Sequence, residues 1–198
     1  MRKVSLAILL SGRGSNAAAL IRACAEADFP ARVAVVASDV PGAPGLDIAR
    51  AAGIPVEAVD RKAHKGRAAF ETALLAALKP HPADLVCLAG FMRVLTPTFI
   101  AAWPPGRILN IHPSLLPAYK GLNTHARALA DGAAEHGCTV HIVTPELDSG
   151  PILVQKRVPV EAGDTADTLA ARVLVQEHVA YVEALRAVAT QILEEGTA

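Results

Sequence analysis

Short runs rich in Val, Ile and Leu alternate along the chain with alanine-rich stretches in which apolar positions recur at helical spacing. The opening reads as a strand at 4–10, a helix at 16–27 and a strand at 32–37, which together make a βαβ unit. The texture continues with a helix at 45–52, a short strand at 56–59, a helix at 68–78 and an apolar strand at 85–89. Strands apolar on both faces belong inside a parallel sheet covered by helices. A short helix near Thr98 precedes a strand at 107–111, an irregular proline-rich loop at 112–121 and a helix at 125–130. Then 139–143 and 152–160 read as strands whose link, 144–151, is too short for a parallel crossover, so this pair is antiparallel. A last helix runs from about 168 to beyond 185. No repeat, low-complexity tract or linker interrupts the series. The expected architecture is therefore α/β: one domain over 1–198, with a doubly wound, mostly parallel sheet, helices on both faces and a C-terminal antiparallel hairpin.

Composition narrows the partners. With 198 residues, 52% of them hydrophobic, the chain can bury one substantial core. Lys and Arg together number 19, as do Asp and Glu, so no overall field draws in nucleic acid or an anionic membrane surface. Small-molecule substrates are expected, and any anionic ligand must be held locally. Cys24, Cys87 and Cys138 lie far apart and form no CxxC, which argues against a disulfide framework and a thiolate zinc site and fits a reducing cytoplasm. Arg2 and Lys3 ahead of the apolar run 4–10 superficially resemble a secretory signal. That run is short and is followed by Gly-Arg-Gly rather than a small-residue cleavage site, so a buried first strand explains it better. No stretch approaches the ~20 apolar residues that span a bilayer. Oligomeric state stays open between monomer and homodimer.

Two places carry candidate chemistry. Ser11-Gly12-Arg13-Gly14-Ser15-Asn16 sits between the first strand and the first helix, where free N–H groups and the helix dipole favour a phosphate. Gly12, Gly14 and Ala17 also satisfy GxGxxA, and Asp39 stands about where a dinucleotide fold puts its ribose-binding acid. On this segment alone a phosphate, a dinucleotide and a purely structural turn all remain open. At the end of the fifth strand, Asn110 and His112 are two apart and face the same side, just where open α/β sheets bind ligands. An amide donor beside an imidazole suits a reaction that builds charge on a carbonyl oxygen while protons move. Alone, the pair could equally be a strand-end His bonded to backbone. Asp148, in the hairpin link, would fix the imidazole if the link folds back, although Asp-Ser-Gly-Pro is also simply a good turn. His125 and His141 are read as pocket or core residues, and no metal site is expected.

Taken together, Ser11 to Asn16, Leu88-Ala-Gly-Phe-Met-Arg-Val-Leu95, Ile108-Leu-Asn-Ile-His-Pro-Ser-Leu-Leu-Pro117 and His136-Gly-Cys-Thr-Val-His-Ile-Val-Thr-Pro-Glu-Leu-Asp-Ser-Gly-Pro151 resemble the folate-dependent phosphoribosylglycinamide formyltransferases over almost the whole chain. The resemblance implies a formyltransferase-like, Rossmann-related fold, with a phosphate-binding half at 1–100 and a folate and catalytic half at 101–198. It implies Asn110, His112 and Asp148 as the reacting set, and Gly14, Ser15, Asn16 and Glu177 at the phosphoribosylglycinamide. It places Arg67, Met92, Arg93, Val94, Leu95, Asn110, Thr144, Pro145, Glu146, Leu147 and Asp148 around 10-formyltetrahydrofolate as co-substrate. The pattern departs at Leu174, where a phosphate-binding glutamine is expected, and at Asn123, where histidine is common. Arg13 is accordingly expected to share in anchoring the phosphate. Formyltetrahydrofolate deformylase and methionyl-tRNA formyltransferase resemble the chain too, but each carries an added N-terminal or C-terminal domain that is not expected here. A non-catalytic nucleotide-binding domain would account for the turn and not for Asn110, His112 and Asp148.

Overall fold

A computed structural model of the chain describes residues 2–196; residues 1, 197 and 198 of the expected domain lie outside the described residues. Seven strands form one sheet in the order β3-β2-β1-β4-β5-β6-β7. They are β1 (Val4–Leu10), β2 (Ala31–Ser38), β3 (Val56–Ala58), β4 (Leu85–Leu88), β5 (Ile108–His112), β6 (Glu135–Ile142) and β7 (Ile152–Pro159). Strands β1 to β5 are parallel, while β6 runs antiparallel to β5 and β7 antiparallel to β6. The helices are α1 (Ser15–Cys24), α2 (Pro44–Ala51), α3 (Gly66–Leu78), α4 (Pro97–Ala101), α5 (Thr124–Ala130) and α6 (Ala166–Glu195). No helix among the described residues is long and apolar enough to cross a membrane.

Strand alternation builds two cores. Leu6, Ile8 and Leu10 of β1, with Cys87 and Leu109, face α1, α2 and α6 through Leu20, Leu46, Val173 and Leu185. Ala7 and Leu9, with Val86 and Ile108, face α3 and α4 through Phe70, Leu74, Leu78 and Phe99. Both faces of β1 are thus sealed, as its unbroken apolar run predicts, and every one of its residues is buried. The order of the strands reverses at β1 and β4, which leaves a crevice beyond their carboxyl ends.

Helix α6 crosses beneath that crevice. A capping box starts it: Thr165 Oγ1 accepts from the Thr168 N–H and Thr168 Oγ1 from the Thr165 N–H, which stabilises a helix start by about 1 kcal/mol. In mid-helix the buried Tyr181 hydroxyl reaches the carbonyls of Leu88 at 3.0 Å and Leu109 at 3.1 Å, so its one proton is shared between β4 and β5.

Three elements differ from the sequence reading. Helix α1 stops at Cys24 rather than 27, because the chain turns to bring Phe29, 1% exposed, into the core. Strand β6 begins at Glu135 rather than 139, and a short 3-10 turn at Arg61–Ala63 was not foreseen.

Candidate active site

The carboxyl ends of β1, β4 and β5 open into a cavity of about 770 Å³. Residues 90–95, which follow β4, form one wall and residues 144–148, which link β6 to β7, form the other. Asn110, His112 and His141 lie on its floor, and Asn16 and Glu177 close it from below.

The floor is a network with few alternatives. Antiparallel register sets Asn110 opposite His141. The His141 Nδ1 lies 3.0 Å from the Ile142 carbonyl, which can only accept, so Nδ1 carries the proton and Nε2 is left as an acceptor. Burial, first of all, holds the His141 imidazole below its ordinary pKa, while the Ile142 carbonyl and Asp148 pull the other way. The neutral ring accepts from Asn110 Nδ2 at 3.2 Å. That bond orients the amide with its second N–H free for the cavity.

His112 is fixed by the same logic. Its Nε2 donates to the Tyr119 carbonyl at 2.9 Å, which turns Nδ1 toward Asp148 Oδ2 at 3.5 Å. Asp148 is 9% exposed and adopts φ 48, a left-handed conformation that an aspartate tolerates at modest cost. Its Oδ2 accepts from the Gly121 N–H at 2.9 Å, and its Oδ1 lies 3.7 Å from His141 Nε2. The hairpin link therefore does fold back: Asn110, His112 and Asp148 converge. His141 joins them as the residue that orients Asn110.

Below the floor, Asn16 Nδ2 donates to Glu177 Oε2 at 2.6 Å, joining α1 to α6. Burial raises the Glu177 carboxyl above its ordinary pKa, against the lowering pull of Asn16 and then His112. The Asn16 Oδ1 is buried with no hydrogen-bond partner among the described residues. The pair thus offers acceptors to a ligand rich in hydroxyl or amine donors. At the start of α1 no side chain caps the first-turn N–H groups, and Gly14 precedes them with φ 76. Gly14 is required twice over, since a Cβ there would stand 2.6 Å from the Gly45 Cα.

Most of the other expected residues lie along the walls. Met92, Arg93, Val94, Leu95, Thr144, Pro145, Glu146 and Leu147 line the cavity, with Met92, Val94 and Leu147 largely exposed. Gly14 and Ser15 lie just behind its lining, next to Asn16. Arg67, in the first turn of α3, and Arg13 are both exposed and do not line it. Leu174 is half-buried, also outside the lining, whereas Asn123, at φ 57, does line it and stands just before α5 without a side-chain capping bond. Asp39, the candidate ribose acid, is fully buried and accepts from Arg61 at 3.0 Å, which ties the end of β2 to the turn at Arg61–Ala63. Its Oδ2 is committed to that tie, its Oδ1 has no hydrogen-bond partner among the described residues, and full burial keeps both from the surface where a cofactor ribose would lie. Sequence reasoning missed the Tyr119 carbonyl and the Gly121 N–H, main-chain groups that no residue type announces.

Known proteins resemble this chain over nearly its whole length. The family described as formyl transferase matches residues 4–185. The chain is 45% identical over 195 residues to the trifunctional purine biosynthetic protein adenosine-3 of Bos taurus, covering 98% of this chain but spanning only 19% of that protein. It is 46% identical to the phosphoribosylglycinamide formyltransferase of Escherichia coli K12, over 90% of this chain and 84% of that one. The crystal structure of phosphoribosylglycinamide formyltransferase from Brucella melitensis, 52% identical, superposes with a TM-score of 0.90 over 95% of this chain and 96% of that one.

Proposed function

The chain belongs to the formyl transferase family, and on that footing we propose that it is itself a phosphoribosylglycinamide formyltransferase. It moves the formyl group of 10-formyltetrahydrofolate to the amine of 5′-phosphoribosylglycinamide in purine synthesis. The observation that carries this reading is that one cavity joins the Asn110, His112 and Asp148 cluster to the Asn16–Glu177 pair beside an open helix N-terminus. A one-carbon donor and a phosphorylated ribosyl amine would meet there.

The N–H groups of Gly14, Ser15 and Asn16 hold the phosphate, with the dipole of α1 favouring its charge. Asn16 and Glu177 take the ribose hydroxyls. The folate lies between residues 92–95, whose Met92 and Val94 present apolar surface, and residues 144–148. Arg13, exposed beside the turn, adds positive charge near the phosphate. Arg67, exposed in the first turn of α3, belongs to the folate's surroundings as a cation outside the lining.

The neutral amine attacks the formyl carbon, forming a C–N bond and an oxyanion. The free Asn110 N–H and the Nδ1–H of protonated His112 donate to that oxyanion. Asp148 supports the imidazolium. As the tetrahedral intermediate collapses, the bond from carbon to the folate nitrogen breaks, the amine loses a proton and the departing nitrogen gains one, with His112 as relay. Positioning supplies the remainder of the rate. We place this activity in the cytoplasm.

A turnover assay with 10-formyltetrahydrofolate, with and without phosphoribosylglycinamide, tests the assignment. Tetrahydrofolate should form only when the amine is present. Equal release without it would mean that water is the acceptor and the enzyme a hydrolase.

A further inference from the structure

Glu71 is a carboxylate only 4% exposed, on the face of α3 that packs against the sheet. It forms no ion pair among the described residues; both its oxygens serve one residue. Oε1 accepts from the Thr96 N–H at 2.9 Å, and Oε2 accepts from the Thr96 hydroxyl. Thr96 Oγ1 in turn accepts from the Phe99 N–H at 3.2 Å, capping α4. A buried carboxylate without a cation is costly unless well supplied with donors, and an apolar side chain would fill a core position at lower cost. The charge therefore calls for an explanation beyond packing.

The residues between Gly90 and Thr96 supply one. They run irregularly from β4 to α4 and form a strap along the cavity wall. At its near end, the Ser11 N–H donates to the Gly90 carbonyl at 3.0 Å and Ser11 Oγ accepts from the Met92 N–H at 2.9 Å. Between Met92 and Leu95 no other hydrogen bond holds the strap among the described residues, and only Leu95 is buried. At the far end Thr96 is joined to α4 through the Phe99 and Ile100 N–H groups, Leu95 packs into the core, and Glu71 supplies the side chain that ties Thr96 to α3.

We infer that Glu71 is a positioning residue for the folate site: its two bonds to Thr96 clamp the strap in the shape that receives the co-substrate, with Ser11 as the opposite clamp. The inference rests on the folate assignment above. A glutamine at 71 cannot reproduce the clamp. Its oxygen can take the N–H, but its NH₂ then meets the Thr96 oxygen and leaves the hydroxyl proton without an acceptor.

Glu71→Gln should weaken tetrahydrofolate binding by calorimetry, and raise KM for 10-formyltetrahydrofolate, about tenfold. The KM for phosphoribosylglycinamide should stay within about twofold, because the end clamped by Glu71 is the opposite one from the end bonded to Ser11 and the turn before α1. Thr96→Val, which deletes the partner hydroxyl and with it the cap of α4, should give the same split, and Thr96→Ser, which keeps both, should restore the parent values. If Glu71→Gln fails to fold, this second pair decides. A lowered Tm with both constants unchanged, or with both raised together, overturns the clamp and leaves Glu71 a core residue. If the parent itself neither binds folate nor transfers formyl, the functional reading falls first, and the clamp's assignment with it.

Discussion

The two sides of the cavity are made of different material. On the side of β1 and β4 the contributions are mostly main chain: the first-turn N–H groups of α1, the glycine at 14 and a strap fixed by its own amides. On the side of β5 and β6 they are side chains, with Asn110, His112, His141 and Asp148 each orienting the next. A main-chain site tolerates many side chains but no new Cβ where two backbones touch. A side-chain network tolerates backbone variation and very little chemical substitution.

Four substitutions or conditions press on that contrast. The strongest is Asn110→Ala, which removes a single amide and should lower kcat about 10²–10³-fold with Tm little changed; a loss below about tenfold would mean that the amide does not meet the oxyanion. On the main-chain side, Gly14→Ala combines a left-handed φ with a Cβ 2.6 Å from Gly45. It should reduce stability by about 2–4 kcal/mol, read by urea titration, whereas an alanine tolerated within about 0.5 kcal/mol would show that the turn shifts easily.

Acid is the third lever, and it acts on the side-chain half. His136 lies behind His112 with its ring 5.1 Å from that of His125, and burial, helped by His125, pushes its pKa down to about 4 from 6.5. In that interval the unfolded chain binds the proton and the folded one does not. Stability is therefore retained above pH 6.5 and lost as pH falls toward 4. Tm should drop between pH 7 and pH 5, and His136→Phe should flatten the slope. The smallest effect is Arg13→Ala. An exposed guanidinium near a helix N-terminus adds little, so KM for the ribonucleotide should rise about two- to fivefold while kcat holds. A change under twofold leaves the phosphate to the backbone alone.

What could be read from sequence follows the same division. The strands β1, β2 and β4 were legible because their apolar runs are the physical condition for burial on both faces. The start of β6 was hidden, since Glu135, His136 and Gly137 look like a turn. Gly137 is there because a Cβ would stand 2.0 Å from the Lys156 carbonyl, a constraint invisible in hydropathy. Asn110 and His112 were legible from spacing. That Asp148 meets His112 depends on a link between two strands returning over the sheet, which local sequence cannot state. Asp39 left a dinucleotide open because position after a strand, without its partner Arg61, cannot separate a ligand acid from a structural one. Glu71 carried no signal, being one glutamate in a helical pattern.

The shared proton of Tyr181 has a bearing on how the cavity moves. Because that hydroxyl joins β4 to β5 from inside the core, and α6 underlies both, the seam between the two sides cannot act as a hinge. Opening must be confined to the segments outside the sheet. In hydrogen exchange, amides of β4, β5 and mid-α6 should be released only by global unfolding, while those of residues 113–123 and 144–151 should exchange through local fluctuations and slow when both substrates are bound.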